Sequence, residues 1–248
     1  MKTSIITQVL LVVLAALPVS LFSQIIYTFD KGGNGFYNGS TYTNLVPFPA
    51  SASYSTFEVT NAASLEVTLT DANKTSLFRG LSRTANVGSV DLTAIPSGAD
   101  QQVEWTQYLK TSTTDLTKNG MVLRAQASAP GYASSVRQGY YFLIQTTGTP
   151  GLMKFRALRL DEAERVTNIF DRQIPITGYT AGPLYLRAIV KGTSLSFYYS
   201  LDNATWNLAA TGDDATFTEG KVQIAWGLGG GSNVTDSYFD NVRFSVPK

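Results

Sequence analysis

The 248-residue chain contains no histidine, which excludes Ser-His-Asp and Cys-His nucleophilic sites, histidine proton shuttles and ordinary zinc centres. It contains no cysteine either, so no disulfide framework holds it together. With 19 basic and 18 acidic side chains it is almost neutral, and no broad basic field is available to nucleic acid or an anionic membrane.

In chain order, Met1-Lys2 gives a short positive start, Ile5 to Leu17 is a nearly unbroken apolar run, and Pro18 to Ser23 supplies a break. That pattern reads as a secretory signal peptide over residues 1–23, with a cut after Ser23. The apolar run is shorter than the ~20 residues a membrane-spanning helix needs, and no later stretch reaches that length, so no membrane span is expected. Without Lys2 the 19 basic side chains become 18, equal to the acidic ones. Residues 24–248 are long enough for one sizeable core and are read as a single domain.

From Gln24 onward, short alternating apolar runs are separated by Gly, Asn, Asp, Ser and Thr clusters, the pattern of an all-β sandwich or barrel. QIIYTFD (residues 24–30) reads as the first strand, followed by a glycine-rich loop and a polar, aromatic stretch to Ser55. Residues 56–70 look like a hairpin turning at Asn61-Ala62-Ala63. Residues 71–100 read mostly as loop, with a strand near Ser76 to Gly80. In QQVEWTQYLK (101–110), Val103, Trp105, Gln107 and Leu109 share one face. Three strand-sized runs follow between Asn119 and Leu160, as a meander: NGMVLRAQ, GYYFLIQTTG and GLMKFRAL. ERVTNIF (164–170) is a further candidate strand. The clearest hairpin joins LYLRAIV to LSFYYSL through Lys191-Gly192-Thr193, and Asp202-Asn203-Ala204 makes another tight turn before TWNLA. KVQIAWGL (221–228) and SYFDNVRFSV (237–246) complete the pattern.

The order GMVLRAQ, GYYFLIQTTG, LMKFRAL, LYLRAIVKGTSLSFYYSLDNATW and SYFDNVRF resembles the concanavalin A-like lectin/glucanase jelly rolls, including laminin G-like modules and the bacterial 3-keto-disaccharide hydrolase-like domains. The resemblance covers Gln101 to Phe244. It implies an all-β fold, a two-sheet antiparallel jelly-roll sandwich in which the terminal FDNVR strand runs beside the first strand. The fold hosts lectins, glycosidases, lyases and adhesion modules alike, so function has to be argued from the site. Retaining glucanases of this kind resemble one another in a Glu-x-Asp-x-x-Glu strand, which sets two carboxylates about 5–5.5 Å apart. That spacing does not occur here, and Asp161, Glu162 and Glu164 read as a solvated turn.

Three candidate sites emerge. The first is the polar face of the central meander: Arg124 with Gln126, Tyr141 with Gln145, and Arg156 on the next strand. Planar guanidinium and amide groups offer directed hydrogen bonds to sugar hydroxyls and carboxylates. Trp105 or Trp226 could add a flat surface for a sugar ring, although their alternation with Val103 and Leu109, or with Val222 and Ile224, equally fits core positions. The second is a structural Ca²⁺ site, which the resemblance implies between the first and last strands, held by Asp30 and Asp240. Turn-capping carboxylates are the alternative there. The third is the aromatic segment carrying Phe36, Tyr37, Tyr42 and Phe48, a binding surface or a cover for a sheet edge.

The expectation is a secreted, non-catalytic carbohydrate-binding or adhesion module, extracellular or at the cell surface, with a polysaccharide or glycan as ligand and other cell-surface proteins as further partners. A polysaccharide-active enzyme of the same fold, using carboxylates and tyrosine, is the alternative. A structural surface protein without a ligand is the third reading.

Overall fold

The computed structural model describes residues 24–29, 32–34, 43–47, 55–61, 76–82, 88–109, 118–126, 138–161, 166–179, 182–228 and 235–248. The leader, residues 62–70 of the expected first hairpin, and the aromatics Phe36, Tyr37, Tyr42 and Phe48 lie outside them. No described helix is long and apolar enough to cross a membrane.

Among the described residues fifteen strands form two antiparallel sheets. The eight-stranded sheet contains β1 (Ile25–Tyr27), β3 (Ser55–Asn61), β4 (Ser76–Ser82), β6 (Gln101–Leu109), β11 (Gly182–Lys191), β12 (Ser194–Ser200), β13 (Asn207–Asp213) and β15 (Thr235–Ser245). Its order is β13-β12-β11-β6-β15-β4-β3, with β1 also on β15. The seven-stranded sheet contains β2 (Leu45–Pro47), β5 (Gly88–Leu92), β7 (Lys118–Ala125), β8 (Gly139–Thr146), β9 (Leu152–Leu160), β10 (Val166–Pro175) and β14 (Lys221–Leu228), in the order β10-β9-β8-β7-β14-β5-β2. The chain crosses between sheets after β1, β2, β4, β5, β6, β10, β13 and β14, giving a jelly-roll sandwich. As expected, the terminal strand holds the first: Ile25, Ile26 and Tyr27 pair with Phe244, Arg243 and Val242.

Period-two alternation drives the core. In β11, Leu184, Leu186, Ala188 and Val190 are buried and the residues between them are half-buried. The inner faces interlock through aromatic rings. Trp105 of β6 stacks on Phe197 of β12 at 5.8 Å, and Phe142 and Phe155 from the opposite sheet meet that ring edge-on at 5.6 and 5.3 Å. Phe78 of β4 likewise meets Trp226 of β14 at 5.5 Å.

The central meander departs from alternation. β7 and β8 are buried on both faces along most of their length. Met121, Leu123, Tyr140, Phe142 and Ile144 enter the main core, whereas Val122, Tyr141, Leu143, Leu158 and Ala225 form a second apolar cluster on the outer face. The polar face expected for this meander is therefore apolar through its middle. Strand β5 lies where loop was expected, and β10 runs to Pro175, five residues beyond the candidate strand that ended at Phe170. β3 pairs with β4, from Ser55↔Ser82 to Asn61↔Ser76.

Candidate functional site

The outer face of the seven-stranded sheet changes character along its strands. Tyr141 pairs with Leu158, Leu143 with Arg156 and Gln145 with Lys154; on the next strand Arg156 pairs with Asp171 and Lys154 with Gln173. One step beyond the Asn119↔Ile144 pair, Lys118 comes opposite Gln145. Lys118, Gln145, Lys154 and Gln173 thus make one cross-strand row over β7, β8, β9 and β10, with Arg156 and Asp171 in the row behind. Side chains in such rows are close enough to act on a common ligand.

These rows sit at the rim where β7 and β9 begin and β8 and β10 end. The β8–β9 turn closes the rim, with Thr147 Oγ1 donating to the carbonyl of Leu152 at 2.8 Å. The result is a recess of about 290 Å³ lined by Lys118, Gln145, Thr146, Thr147, Lys154, Arg156 and Gln173. Asp171 stands at its side: one of its carboxylate oxygens accepts from Arg156 Nη2 at 2.8 Å and lies 3.2 Å from Lys154 Nζ. The Arg156 Nε is buried and makes no hydrogen bond. Burial lowers the ammonium pKa of Lys118, and the positive charges of Arg156 and Lys154 lower it further, against the opposing pull of Asp171. The recess is therefore a partly desolvated cationic patch edged with amides and hydroxyls.

Of the residues expected on this face, Gln145 and Arg156 are brought together here. Tyr141 shares the face but is 1% exposed, inside the second apolar cluster. Arg124 and Gln126 are elsewhere. Between Val122 and Ala125 the β7–β14 register shifts by one residue, and Arg124 takes φ +48°. That bulge keeps both Val122 and Ala125 in the outer cluster and turns Arg124 toward the end of the sandwich. There Nε donates to the carbonyl of Ala99 and Nη1 to that of Phe217, each at 2.6 Å. The Gln101 side chain completes the clamp, accepting from the backbone N of Arg124 at 2.8 Å and donating to the Gly220 carbonyl at 2.6 Å. Gln126 Nε2 donates to the carbonyls of Arg124 and Glu219. Both residues hold loops together and do not share a groove with Arg156. Trp105 and Trp226, 1% and 2% exposed, are core residues and present no face to a ligand.

Sequence reasoning left three contributors out of the site. Lys154 was visible beside Arg156 by alternation. Lys118 and Gln173 become neighbours only once the strand register is known. It also passed over Trp206, which lies under the Arg187 guanidinium at 3.9 Å from its ring centroid, with Arg187 Nε donating to Glu104 at 2.8 Å. A larger recess of about 530 Å³ lies over β11 and β12 of the other sheet, and one of its walls is the terminal segment Val246–Lys248. It gathers serines, Ile189 and Tyr198 with Lys191 and Lys248, and Lys191 Nζ donates to the Lys248 carbonyl at 2.7 Å.

The expected calcium pair is not assembled by the described residues. Asp30 lies outside them; Asp240 is fully buried and one of its carboxylate oxygens accepts from the backbone N of Asn241 at 2.6 Å. Among the described residues no group of three or more His, Cys, Asp or Glu side chains could hold a metal ion. One buried carboxylate turned to its own backbone does not fit the oxygen cage that Ca²⁺ requires.

Among the described residues two carboxylates stand on strands of the outer face, Asp171 on β10 and Asp91 on β5. Asp91 is 3% exposed, accepts from Gln223 Nε2 at 2.5 Å and faces Lys221 Nζ at 3.5 Å. Five strand steps separate β5 from β10, about 24 Å at about 4.8 Å per step. Glycoside hydrolysis by a carboxylate pair needs about 5–10 Å, so these two cannot act together.

No protein-family model matches the chain, and no curated protein matches it. Solved structures are similar at low identity. The carbohydrate-binding module CBM66 from Bacillus subtilis is 17% identical over 79% of this chain and all of that one, with a TM-score of 0.47. The GH43 protein BlXynB from Bacillus licheniformis is 14% identical over 69% of this chain, with a TM-score of 0.47; the match spans about a third of that longer chain. The exoplasmic/lumenal domain of VIP36, solved with Ca²⁺ and Man3GlcNAc bound, is 12% identical over 83% of this chain and 89% of that one, with a TM-score of 0.46.

Proposed function

We propose that the protein is a secreted, non-catalytic carbohydrate-binding module that acts outside the cell or at its surface and holds polysaccharide at the rim of the seven-stranded sheet. The observation that carries this reading is the recess itself. Amide, hydroxyl and cationic side chains from four adjacent strands converge on an open sheet edge, held by a rigid scaffold. Fixed strands suit saccharides, whose many hydroxyls reward several directed hydrogen bonds in set positions. The wide separation of Asp91 and Asp171 speaks for binding without cleavage by that pair. Secretion follows from the leader-like residues 1–23.

The test is pull-down of the full-length chain on a panel of insoluble polysaccharides, together with a glycan array. Retention on at least one glycan, with no sugar released, is the expected result. Failure to bind any glycan overturns the reading, and release of reducing sugar overturns its non-catalytic part.

A further inference from the structure

Among the described residues the charge of the recess is not balanced. Lys118, Lys154 and Arg156 converge there, and the described carboxylate that answers them is Asp171, using one oxygen for both Lys154 and Arg156. The two paired cations are partly withdrawn from water, with side chains 22% and 19% exposed. Like charges at this spacing, partly desolvated, raise the energy of the unliganded site, which an incoming anion would lower. Among the described residues the buried Arg156 Nε–H has no acceptor, so Asp171 does not satisfy this guanidinium fully. The volume lies at the lower end of ligand-sized clefts, about 300–1,000 Å³, which suits one saccharide unit. Gln173 and Thr147 are placed for its hydroxyls.

We propose that this recess takes the anionic group of an acidic polysaccharide, a carboxylate or a sulfate ester, with Arg156 and Lys154 as its direct contacts and Lys118 as the third positive charge. The proposal rests on the glycan-binding reading and narrows it to a ligand class. Asp171 then competes with the ligand for the same donors. Neutralising Asp171 should therefore strengthen binding, whereas a residue that merely supported the fold would weaken it when changed.

The experiment is calorimetric titration of the full-length chain with polygalacturonate, dextran sulfate and neutral dextran, at low and moderate salt. Whichever of the first two binds distinguishes carboxylate from sulfate. Arg156→Gln and Lys154→Gln should each weaken binding of that polymer about tenfold or more. Asp171→Asn should tighten it several-fold. Lys191→Gln, which removes one charge from the opposite sheet, should leave it unchanged. Equal losses in Lys191→Gln and Arg156→Gln would reveal unlocalised charge attraction and overturn the proposal. So would weaker binding in Asp171→Asn. Binding of neutral glycans with Arg156→Gln indifferent overturns the anionic ligand and leaves the glycan-binding reading intact. Binding of no polysaccharide, neutral or acidic, overturns both.

Discussion

At the scale of single residues, buried polar groups explain more of this molecule than exposed ones. Arg124 is 2% exposed and its guanidinium ties the Ala99 carbonyl to the Phe217 carbonyl, linking the segment before β6 to the segment before β14. Arg124→Ala would remove both links and leave the buried Phe217 carbonyl to a long 3.4 Å contact with the Tyr140 hydroxyl, and unfolding in urea should show a loss of about 2 kcal/mol. Glycan retention by the folded protein should not change, because the recess lies at the other end of the strands. The Asp202 turn gives a pH signature. Its carboxylate accepts from the backbone N of Thr205 and of Ala204, and from the hydroxyls of Ser200 and Thr205, and these bonds hold its pKa well below the ordinary value near 3.8. The ionised form is favoured in the folded state. Its contribution is therefore complete above the unfolded pKa and drains away as pH falls through the lower folded one. Melting temperature measured from pH 6 down to pH 2 should fall below about pH 4, and less steeply in Asp202→Asn than in the parent.

At the scale of elements, what was legible in the sequence was set by how simply each strand alternates. The β11–β12 hairpin was readable because one face is core and the other is not, and Gly192, at φ +57°, supplies the turn between Lys191 and Ser194. β14 was readable to the residue. β5 was not, because its alternation of Ser89 and Asp91 with Val90 and Leu92 spans only a five-residue strand within a stretch rich in Ser, Gly, Asn and Ala. The candidate site failed for a different reason. Alternation put Arg124 beside Gln126 and Gln145, but a single-residue bulge turned it away, and bulges come from pairing between strands distant in sequence. The same pairing gathered Lys118 and Gln173 around Lys154. Close approach of β7 and β8 is demanding at Gly120, where a Cβ would lie 1.9 Å from the Phe142 carbonyl oxygen. Gly120→Ala must push the two strands apart, so thermal unfolding should show a loss of about 3 kcal/mol, or about 10 °C.

At the scale of the whole molecule, the sandwich is closed by β15. One of its edges takes β6 along Tyr238–Ser245. The other takes β4 along Thr235–Phe239 and then β1 along Val242–Phe244. Residues 235–245 leave the ribosome after every other described strand, yet they lie in the interior of the eight-stranded sheet. Until they arrive, β4 and β6 have no connection through that sheet and β1 has no partner. A nascent chain of this topology is therefore held back from its native state by geometry alone, whatever the stability of its earlier hairpins. A chain ending before Thr235 should show no cooperative thermal transition by circular dichroism, and a native-like melt from it would refute this dependence. Under the secreted role proposed above, the same constraint would keep the polypeptide threadable through a narrow channel until β15 has emerged.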